Sequence, residues 1–288
     1  MRLDGRREST NVDDRRRMGG GKKAGIGIGG IVIAALITWL MGGNPLSVLE
    51  STDMSSILTE QGQGAAHEPT AEEEKLAKFS RQILAGTEDV WSKEFQKMGR
   101  TYEPPRLVLF TGSVQSACGG ATSSSGPFYC SGDQSVYIDL SFFSQMRKQL
   151  GADGDFAYAY VIAHEVGHHV QYLLGMLNEA HQQMSQVSQT ESNRISVRLE
   201  LQADFFAGIW AYHDNKMFNS LEDGDIEEGL NVASKIGDDY LQKKAQGYTV
   251  PDAFNHGTSA QRVRWLKKGL NSGRINDGDT FSPDYSDL

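Results

Sequence analysis

The sequence is poor in cysteine and proline, and it has no excess of positive charge. Its 288 residues include only two Cys, which excludes a disulfide-rich scaffold and a cysteine-based metal cluster. Glycine is frequent but follows no Gly-X-Y repeat, so collagen is excluded as well. The net charge is −9, whereas nucleic-acid-binding domains are usually basic. We therefore expect no nucleic acid among the partners.

Charge and hydropathy divide the start of the chain into two segments. Residues 1–23 contain eight Lys or Arg and four acidic residues, a net +4, which leaves −13 on the rest of the chain. Residues 24–41 are apolar, and residues 24–49 contain no charged side chain. Eighteen helical residues span about 27 Å, close to the hydrocarbon thickness of a bilayer. The pattern predicts a transmembrane helix over residues 24–43 behind a basic cytoplasmic tail over 1–23.

The basic residues before the apolar run set the expected orientation. The positive-inside rule places the N-terminus in the cytoplasm and the larger C-terminal part outside. A cleavable signal peptide is the alternative, although the run exceeds the usual 7–15 residues and no A-x-A site follows it. Gly21, Gly25 and Gly29 have the spacing of close helix contacts in lipid, which allows a weak homodimer through the anchor.

The rest of the chain indicates one globular domain. Residues 44–71 are polar and predict a flexible linker, residues 72–275 predict the domain, and residues 276–288 predict a polar tail. Apolar spacing predicts strands at 106–110 and 136–140, followed by helices. The predicted helices are 72–98, 141–150, 156–177, 194–213, 225–246 and 259–270. Strands followed by helices, without βαβ alternation, predict a mostly helical α+β fold with a small sheet.

The most informative motif is HEVGH at residues 164–168, inside the predicted helix 156–177. His164 and His168 are four residues apart, so both imidazoles face one side of a helix and can bind one metal ion. Glu165 points to a neighbouring direction, where it can act as general base on a water molecule. This arrangement is typical of zinc peptidases, and we expect one Zn²⁺ per chain.

A third ligand is needed, because catalytic zinc sites have three protein ligands and one open position. Glu200 completes a His₂Glu set, and Asp204, one turn later on the same helix face, can accept the free ring N–H of a ligating histidine. Glu191 is the spare carboxylate, in a segment that looks like a loop. Gly167, within the HEVGH motif, either allows another element to pack closely against the backbone of this helix or is a tolerated defect.

Other residues near the predicted site are less specific. His256 and Arg262 lie at the start of the last predicted helix, where either could stabilise the oxyanion of the reaction, although a polar capping loop explains them equally well. Cys118 and Cys130 are expected to form a disulfide if the domain lies outside the cytoplasm. A redox or metal pair is the alternative. The strand 136–140 could pair with an extended peptide substrate at its edge.

Several segments together resemble one known family, the putative neutral zinc metallopeptidases of bacterial membrane proteins, the YpfJ-type group. The segments that carry the resemblance include RLDGRRESTNVDDRR, TEDVW, VYIDLSFF, AHEVGHHVQ, LELQADFFAGIWA, IGDDYLQ and HGTSAQRVRWLKKG. The resemblance implies a zincin-like peptidase domain behind one span of the bacterial inner membrane, facing the periplasm or exterior. It implies His164 and His168 as ligands and Glu165 as the catalytic residue. Similarity to the wider gluzincin pattern implies Glu200 as ligand with Asp204 in support.

The leading interpretation is a membrane-anchored zinc peptidase that acts on a peptide or protein substrate. Two alternatives remain open: a non-catalytic zinc-containing binding or assembly factor at the membrane, and a zinc amidase that acts on cell-wall peptides. An intact Glu165 favours an enzyme, because a binding factor has no need of a general base.

Overall fold

The computed structural model describes residues 1–17 and 68–288, and its strands form one mixed sheet and one small hairpin. The sheet has the order β1-β2-β6-β5. Strands β1 and β6 are both parallel to β2, and β5 is antiparallel to β6. The strands of the sheet are β1 (Val12–Asp14), β2 (Arg106–Phe110), β5 (Phe128–Cys130) and β6 (Ser135–Asp139), and the hairpin consists of β3 (Ser113–Ser116) and β4 (Gly119–Thr122). The apolar run of β2 is buried at four of its five residues, as expected for a strand covered on both faces.

Eight α-helices lie in the described part of the chain and contribute most of its core. They are α1 (Ala71–Lys97), α2 (Ser141–Gln145), α3 (Asp155–Leu174), α4 (Met176–Met184), α5 (Gln189–Phe218), α6 (Asp225–Lys235), α7 (Asp238–Gln246) and α8 (Ser259–Ser272). A π-helical turn over residues 146–150 follows α2. The prediction of a mostly helical α+β fold with a small sheet is therefore confirmed.

Close backbone packing joins α5 to the helices on either side of it. A Cβ on Gly167 of α3 would lie 3.0 Å from the main-chain oxygen of Ala203 on α5. A Cβ on Gly269 of α8 would lie only 2.1 Å from the main-chain oxygen of Phe205, and Gly208 faces α8 equally closely. Glycine is therefore required sterically where α5 meets α8, and Gly167 marks a close approach of α3 to α5.

Several predicted helix boundaries differ from the structure for local reasons. Helix α5 begins five residues earlier than the predicted residue 194, because the Ser188 side chain caps it by accepting from the N–H of Glu191. The predicted helix 225–246 is two helices, and the break falls at Gly237, where the Ser259 backbone packs too closely for any side chain. Helix α3 ends at Gly175, a left-handed C-cap, rather than at residue 177.

The basic cytoplasmic tail predicted over residues 1–23 is not a separate segment in its first 17 residues. These residues pack on the domain, where β1 forms the outer strand beside β2. Arg6 makes two hydrogen bonds to the fully buried carboxylate of Asp214. The physical reason is charge complementarity, because the basic start of the chain meets acidic side chains of the domain. Residues 18–23 lie outside the described residues.

Residues 276–288, which were predicted to be a polar tail, also pack on the domain. Arg198 of α5 donates to the main-chain oxygens of Thr280, Phe281 and Pro283. Thr280 is fully buried, and Leu288 belongs to the main core cluster. Composition alone predicted a polar tail, because it does not show that the main-chain oxygens of these residues accept hydrogen bonds from one guanidinium.

Membrane crossing is tested only in part. Within residues 1–17 and 68–288, no helix has both the length and the apolar content needed to cross a membrane. The predicted transmembrane helix over 24–43 and the predicted linker over 44–71, up to residue 67, lie outside the described residues. Ala71, at the end of the predicted linker, is already the first residue of α1.

The contact between α5 and α8 yields a stability prediction. Gly269→Ala places a methyl group against the main chain of α5, so we expect the free energy of unfolding to fall by about 1–3 kcal/mol. Asn271→Ala, at an exposed position of the same helix, is the control and should change it by no more than about 0.5 kcal/mol. Denaturant unfolding of the two variants measures both values, and equal stabilities would contradict the close packing.

Candidate metal centre

Two helices bring together three side chains that can bind one metal ion. His164 and His168 lie on successive turns of α3, and Glu200 lies on α5 opposite them. The Nε2 atom of His164 is 3.2 Å from Glu200 Oε2, and the Nε2 atom of His168 is 3.3 Å from Glu200 Oε1. Across residues 1–17 and 68–288, this is the only group of three or more His, Cys, Asp or Glu side chains arranged to hold an ion.

The Nδ1 atom of each histidine is hydrogen-bonded to a side-chain oxygen. His164 Nδ1 lies 2.8 Å from Asp204 Oδ1, and His168 Nδ1 lies 2.9 Å from Gln171 Oε1. Because the Gln171 amide nitrogen donates to the Leu199 main-chain oxygen, its Oε1 must act as acceptor. Each Nδ1 is therefore a donor, and each Nε2 faces Glu200, where it can bind a metal ion once it has lost its proton.

The spacing and chemistry of this donor set fit zinc. Ligand atoms at about 2.0–2.1 Å from a tetrahedral zinc lie about 3.3 Å from one another. The two N–O distances, 3.2 and 3.3 Å, match this value, and all three ligand atoms lie within 4.8 Å of one another. Two imidazoles and one carboxylate also form a ligand set that catalytic zinc sites use. His164, His168 and Glu200 are therefore the residues that would hold the ion.

Asp204 connects the centre to a third helix. Besides His164, its carboxylate accepts from Tyr160 Oη at 2.5 Å and from Arg262 of α8, with Nε to Oδ2 at 2.8 Å and Nη2 to Oδ1 at 2.9 Å. Asp204 is completely buried. Arg262 does reach the site: its shortest contacts are with Asp204, and its Nη2 atom also lies 3.8 Å from Oε2 of Glu200.

The pKa values reflect strong charge coupling at the centre. Burial lowers the pKa of His164, but the carboxylates of Asp204 and Glu200 outweigh it and raise the pKa to about 10. Burial raises the pKa of Glu200, but the adjacent histidines hold it well below its usual range. The negative charges that favour a protonated imidazole also favour a metal cation at the same position.

Glu165 is the buried acid beside the ligands. Its side chain is almost fully covered, and burial raises its pKa above the ordinary value, while the charges of His164 and His168 oppose the rise. A carboxyl group with a raised pKa is better suited to accept and return a proton near neutral pH.

His256 is held at the edge of the centre by Asp238. The Nδ1 atom of His256 lies 3.3 Å from Asp238 Oδ1, and the main-chain N–H groups of Asn255, His256 and Gly257 all donate to Asp238 Oδ2. Burial lowers the pKa of His256, but the bond to Asp238 and the charge of Glu200 raise it overall. The imidazole is therefore oriented by a fixed loop and is electrostatically coupled to the ligand Glu200.

Other candidates lie away from the cluster. Glu191 is exposed near the start of α5 and pairs with Arg194. His169 is buried between Tyr129 and the Glu103 main chain, and burial lowers its pKa to about 4. His213 binds the main chain of Gly273. Histidine 67 lies outside the described residues, and His181 is exposed.

The structure can be compared with two further predictions, the cysteine pair and the strand expected to pair with substrate. A disulfide joins Cys118, in the turn between β3 and β4, to Cys130, the last residue of β5. The prediction that strand 136–140 offers a free edge is wrong, because β6 lies between β2 and β5 and is hydrogen-bonded on both sides. The outer strand at that end of the sheet is β5, whose short sequence carried no clear strand pattern.

Sequence reasoning missed three residues that support the centre, namely Tyr160, Gln171 and Asp238. Tyr160 and Gln171 follow the same helical spacing as the ligands, four residues before His164 and three after His168, so the face of α3 could have indicated them. Asp238 lies 18 residues before its partner His256, and no spacing rule connects them.

The geometry defines a centre of the zinc hydrolase type, with two histidines, one glutamate and a neighbouring buried acid. The chain belongs to the protein family described as "putative neutral zinc metallopeptidase", whose model matches residues 1–281. It is 48% identical to the uncharacterized protein YpfJ of Escherichia coli K12, over 98% of this chain and 99% of that protein. It is 41% identical to the uncharacterized protein Rv2575 of Mycobacterium tuberculosis over 191 residues, or 63% of this chain and 64% of the relative. No solved structure matches the chain.

The ligand set yields a metal-binding prediction. We expect the full-length protein to bind about one zinc per chain, and Glu200→Gln to lose it, because only two ligands remain. Gln171→Ala should lower the affinity about 10–100-fold, because His168 loses the acceptor that orients it. Metal content after dialysis and competition with a chelator measure both effects.

The matched control for metal binding is Glu191→Gln, which removes a carboxylate from the same helix but outside the cluster. It should retain zinc at the wild-type level. If Glu191→Gln lost zinc while Glu200→Gln kept it, the ligand assignment would be wrong.

Proposed function

We propose that this protein is a zinc-dependent peptidase that hydrolyses peptide bonds, with Glu165 as the general base. The observation that carries the proposal is the convergence of His164, His168 and Glu200 at ligand spacing beside the buried carboxyl group of Glu165. Membership in the zinc metallopeptidase family supports the same chemistry.

The reaction divides between the metal and the protein side chains. Bound zinc supplies Lewis-acid chemistry, which polarises a carbonyl group and makes water easier to deprotonate. Glu165 accepts the proton of the attacking water and then returns it to the leaving amine. Because the pKa of Glu165 is raised, its carboxyl group can accept a proton in the first step and donate it in the second.

The network around Asp204 keeps the ligands in position during this reaction. Tyr160, Arg262 and Asp204 come from three different helices and fix the ring of His164. Arg262 balances the buried charge of Asp204, so the pair adds no net charge to the centre. Because the ring of His164 is already held in place, it does not reorient when substrate displaces water, and this preorganisation favours catalysis.

His256 is proposed as the side chain that stabilises the developing oxyanion. Its imidazole is half-exposed, is oriented by Asp238, and has a raised pKa that favours the charged form. A cationic donor at the rim of the site can stabilise negative charge as it forms on the carbonyl oxygen. Asp238 is a positioning residue, because it acts through His256.

We further propose a peptide or protein substrate and attachment to the bacterial inner membrane through residues 24–43, with a weak homodimer as a possible state of the anchor. The Cys118–Cys130 disulfide supports a location of the domain outside the cytoplasm, since disulfides persist in oxidising compartments. The acidic charge of the chain supports the absence of a nucleic-acid partner.

Two other functions remain as alternatives at the same site. A zinc amidase would use the same centre on cell-wall peptides, and a binding or assembly factor would hold zinc without turnover. The buried Glu165 favours an enzyme over a binding factor, because burying a carboxyl group without a role costs stability.

The role of Glu165 can be tested by Glu165→Gln in the full-length, zinc-loaded protein. We expect cleavage of a peptide library to fall about 10²–10⁴-fold, because the proton acceptor is lost, while the zinc content stays unchanged. Mass spectrometry of the products and metal analysis of the same samples measure the two quantities.

The same variant separates the three candidate functions. Glu165→Gln should capture intact protein substrates if the protein is a peptidase, and cell-wall peptides if it is an amidase. The peptidase proposal fails if zinc-loaded wild-type protein cleaves neither class, and the general-base assignment fails if Glu165→Gln retains full activity.

The role of His256 gives a separate kinetic prediction. His256→Ala should lower kcat about 10–10³-fold with little change in KM, because the stabilised charge exists only in the transition state. Asp238→Asn should act in the same direction but less strongly. His213→Ala is the control, since His213 lies about 20 Å along α5 from Glu200 and should leave kcat unchanged. A loss confined to KM would contradict the oxyanion role.

A further inference from the structure

Residues 1–17 are built into the zinc-binding domain by main-chain pairing. Strand β1 runs parallel to β2, with Val12, Asp13 and Asp14 in register with residues 107–109. The N–H of Leu107 donates to the Asn11 oxygen at 3.0 Å, and the N–H of Arg15 donates to the Leu109 oxygen at 2.7 Å. The first strand therefore completes the ladder at one edge of the central sheet, which would otherwise expose unpaired backbone groups.

A buried ion pair fixes the segment at a second point. The guanidinium of Arg6 is 2.7 Å from Asp214 Oδ1 and 3.1 Å from Oδ2, and it also lies 3.8 Å above the ring of Phe218. Asp214 is fully buried, and only 11% of the Arg6 side chain is exposed. Without Arg6, the domain would contain a buried carboxylate with no cation against it, which is strongly destabilising.

Most positive charges of the segment are paired with the domain rather than left free. Five of the six arginines in residues 1–17 contact carboxylates of residues 68–288: Arg2 with Glu222, Arg6 with Asp214, Arg7 with Glu88 and Asp89, and Arg16 and Arg17 with Glu74. Arg15 pairs with Asp13 inside the segment. These arginines therefore have a structural role that accounts for the basic start of the chain.

The same arginines are the basis of the predicted membrane orientation. The positive-inside rule treats them as free charges that stay in the cytoplasm while the domain is exported. In the structure they bind the domain at distances of 2.6–3.7 Å, whereas a bilayer would separate the two sides by about 30 Å. Residues 1–17 therefore cannot lie across a bilayer from residues 68–288 while they keep the observed packing.

We infer that residues 1–17 and residues 68–288 fold together on the same side of the membrane. The basic segment is the edge strand and charge partner of the zinc-binding domain, not a cytoplasmic tail. The family model includes this segment, since its match begins at residue 1. The inference does not depend on the proposed activity; it rests on contacts between the two described parts and on the proposed membrane attachment.

Cysteine labelling of the full-length protein in spheroplasts tests the inference. Asp4→Cys marks the first segment and Tyr248→Cys marks the domain, and both positions are exposed. The chain's own two cysteines form a disulfide and do not compete for the reagent. A membrane-impermeant maleimide should label both variants before lysis or both only after lysis. Labelling of one variant before lysis and of the other only after lysis would overturn the inference.

A stability comparison provides an independent test with the same full-length protein. Arg6→Ala should lower the melting temperature of the zinc-binding domain by several degrees, because Asp214 is left buried and unpaired. Arg17→Ala is the matched control, since its side chain is 70% exposed and its ion pair is long. Equal melting temperatures for wild type, Arg6→Ala and Arg17→Ala would mean that the segment is not docked, and the inference would fail.

Discussion

The buried carboxylate of Asp204 is the interaction on which the centre depends. It accepts hydrogen bonds from His164 and Tyr160 on one helix and from Arg262 on another, and it lies one turn from the ligand Glu200. An isolated buried carboxylate would be very costly, so all of its partners must be present together. This single group therefore couples the assembly of α3, α5 and α8 to the orientation of a metal ligand.

The backbone permits this arrangement because three helices approach one another unusually closely. Gly167 allows α3 to reach the main chain of α5 at Ala203, between Glu200 and Asp204. Gly208 and Gly269 do the same where α5 crosses α8. Short distances between helix axes let short side chains such as Asp204 bridge them. The glycines thus serve the chemistry indirectly, by setting the distances at which carboxylates and imidazoles meet.

The first 17 residues extend the same logic of charge pairing to the outside of the domain. Arg6 neutralises the buried Asp214 of α5, and β1 closes the edge of β2. Composition suggested a separate tail because it reports charge but not the position of its partners. The C-terminal residues were likewise predicted to be a tail from their polar composition, whereas Arg198 donates hydrogen bonds to their main-chain oxygens. In both cases, residues that look like solvated ends are part of the packed domain.

Local features of the fold and of the site could be predicted from the order of residues along the chain. Periodicity sufficed for the strand at 106–110, for the helices that begin near residues 72, 156 and 259, and for the pairing of His164 with His168, because each depends on neighbours along the chain. The placement of Glu200 opposite the two histidines was predictable from the i, i+4 pair that it forms with Asp204. Three-dimensional packing was needed to show that Asp238 orients His256, that β6 is an inner strand, and that residues 1–17 join the domain. These contacts link residues far apart in the chain, so their partners are set by packing and charge and not by spacing.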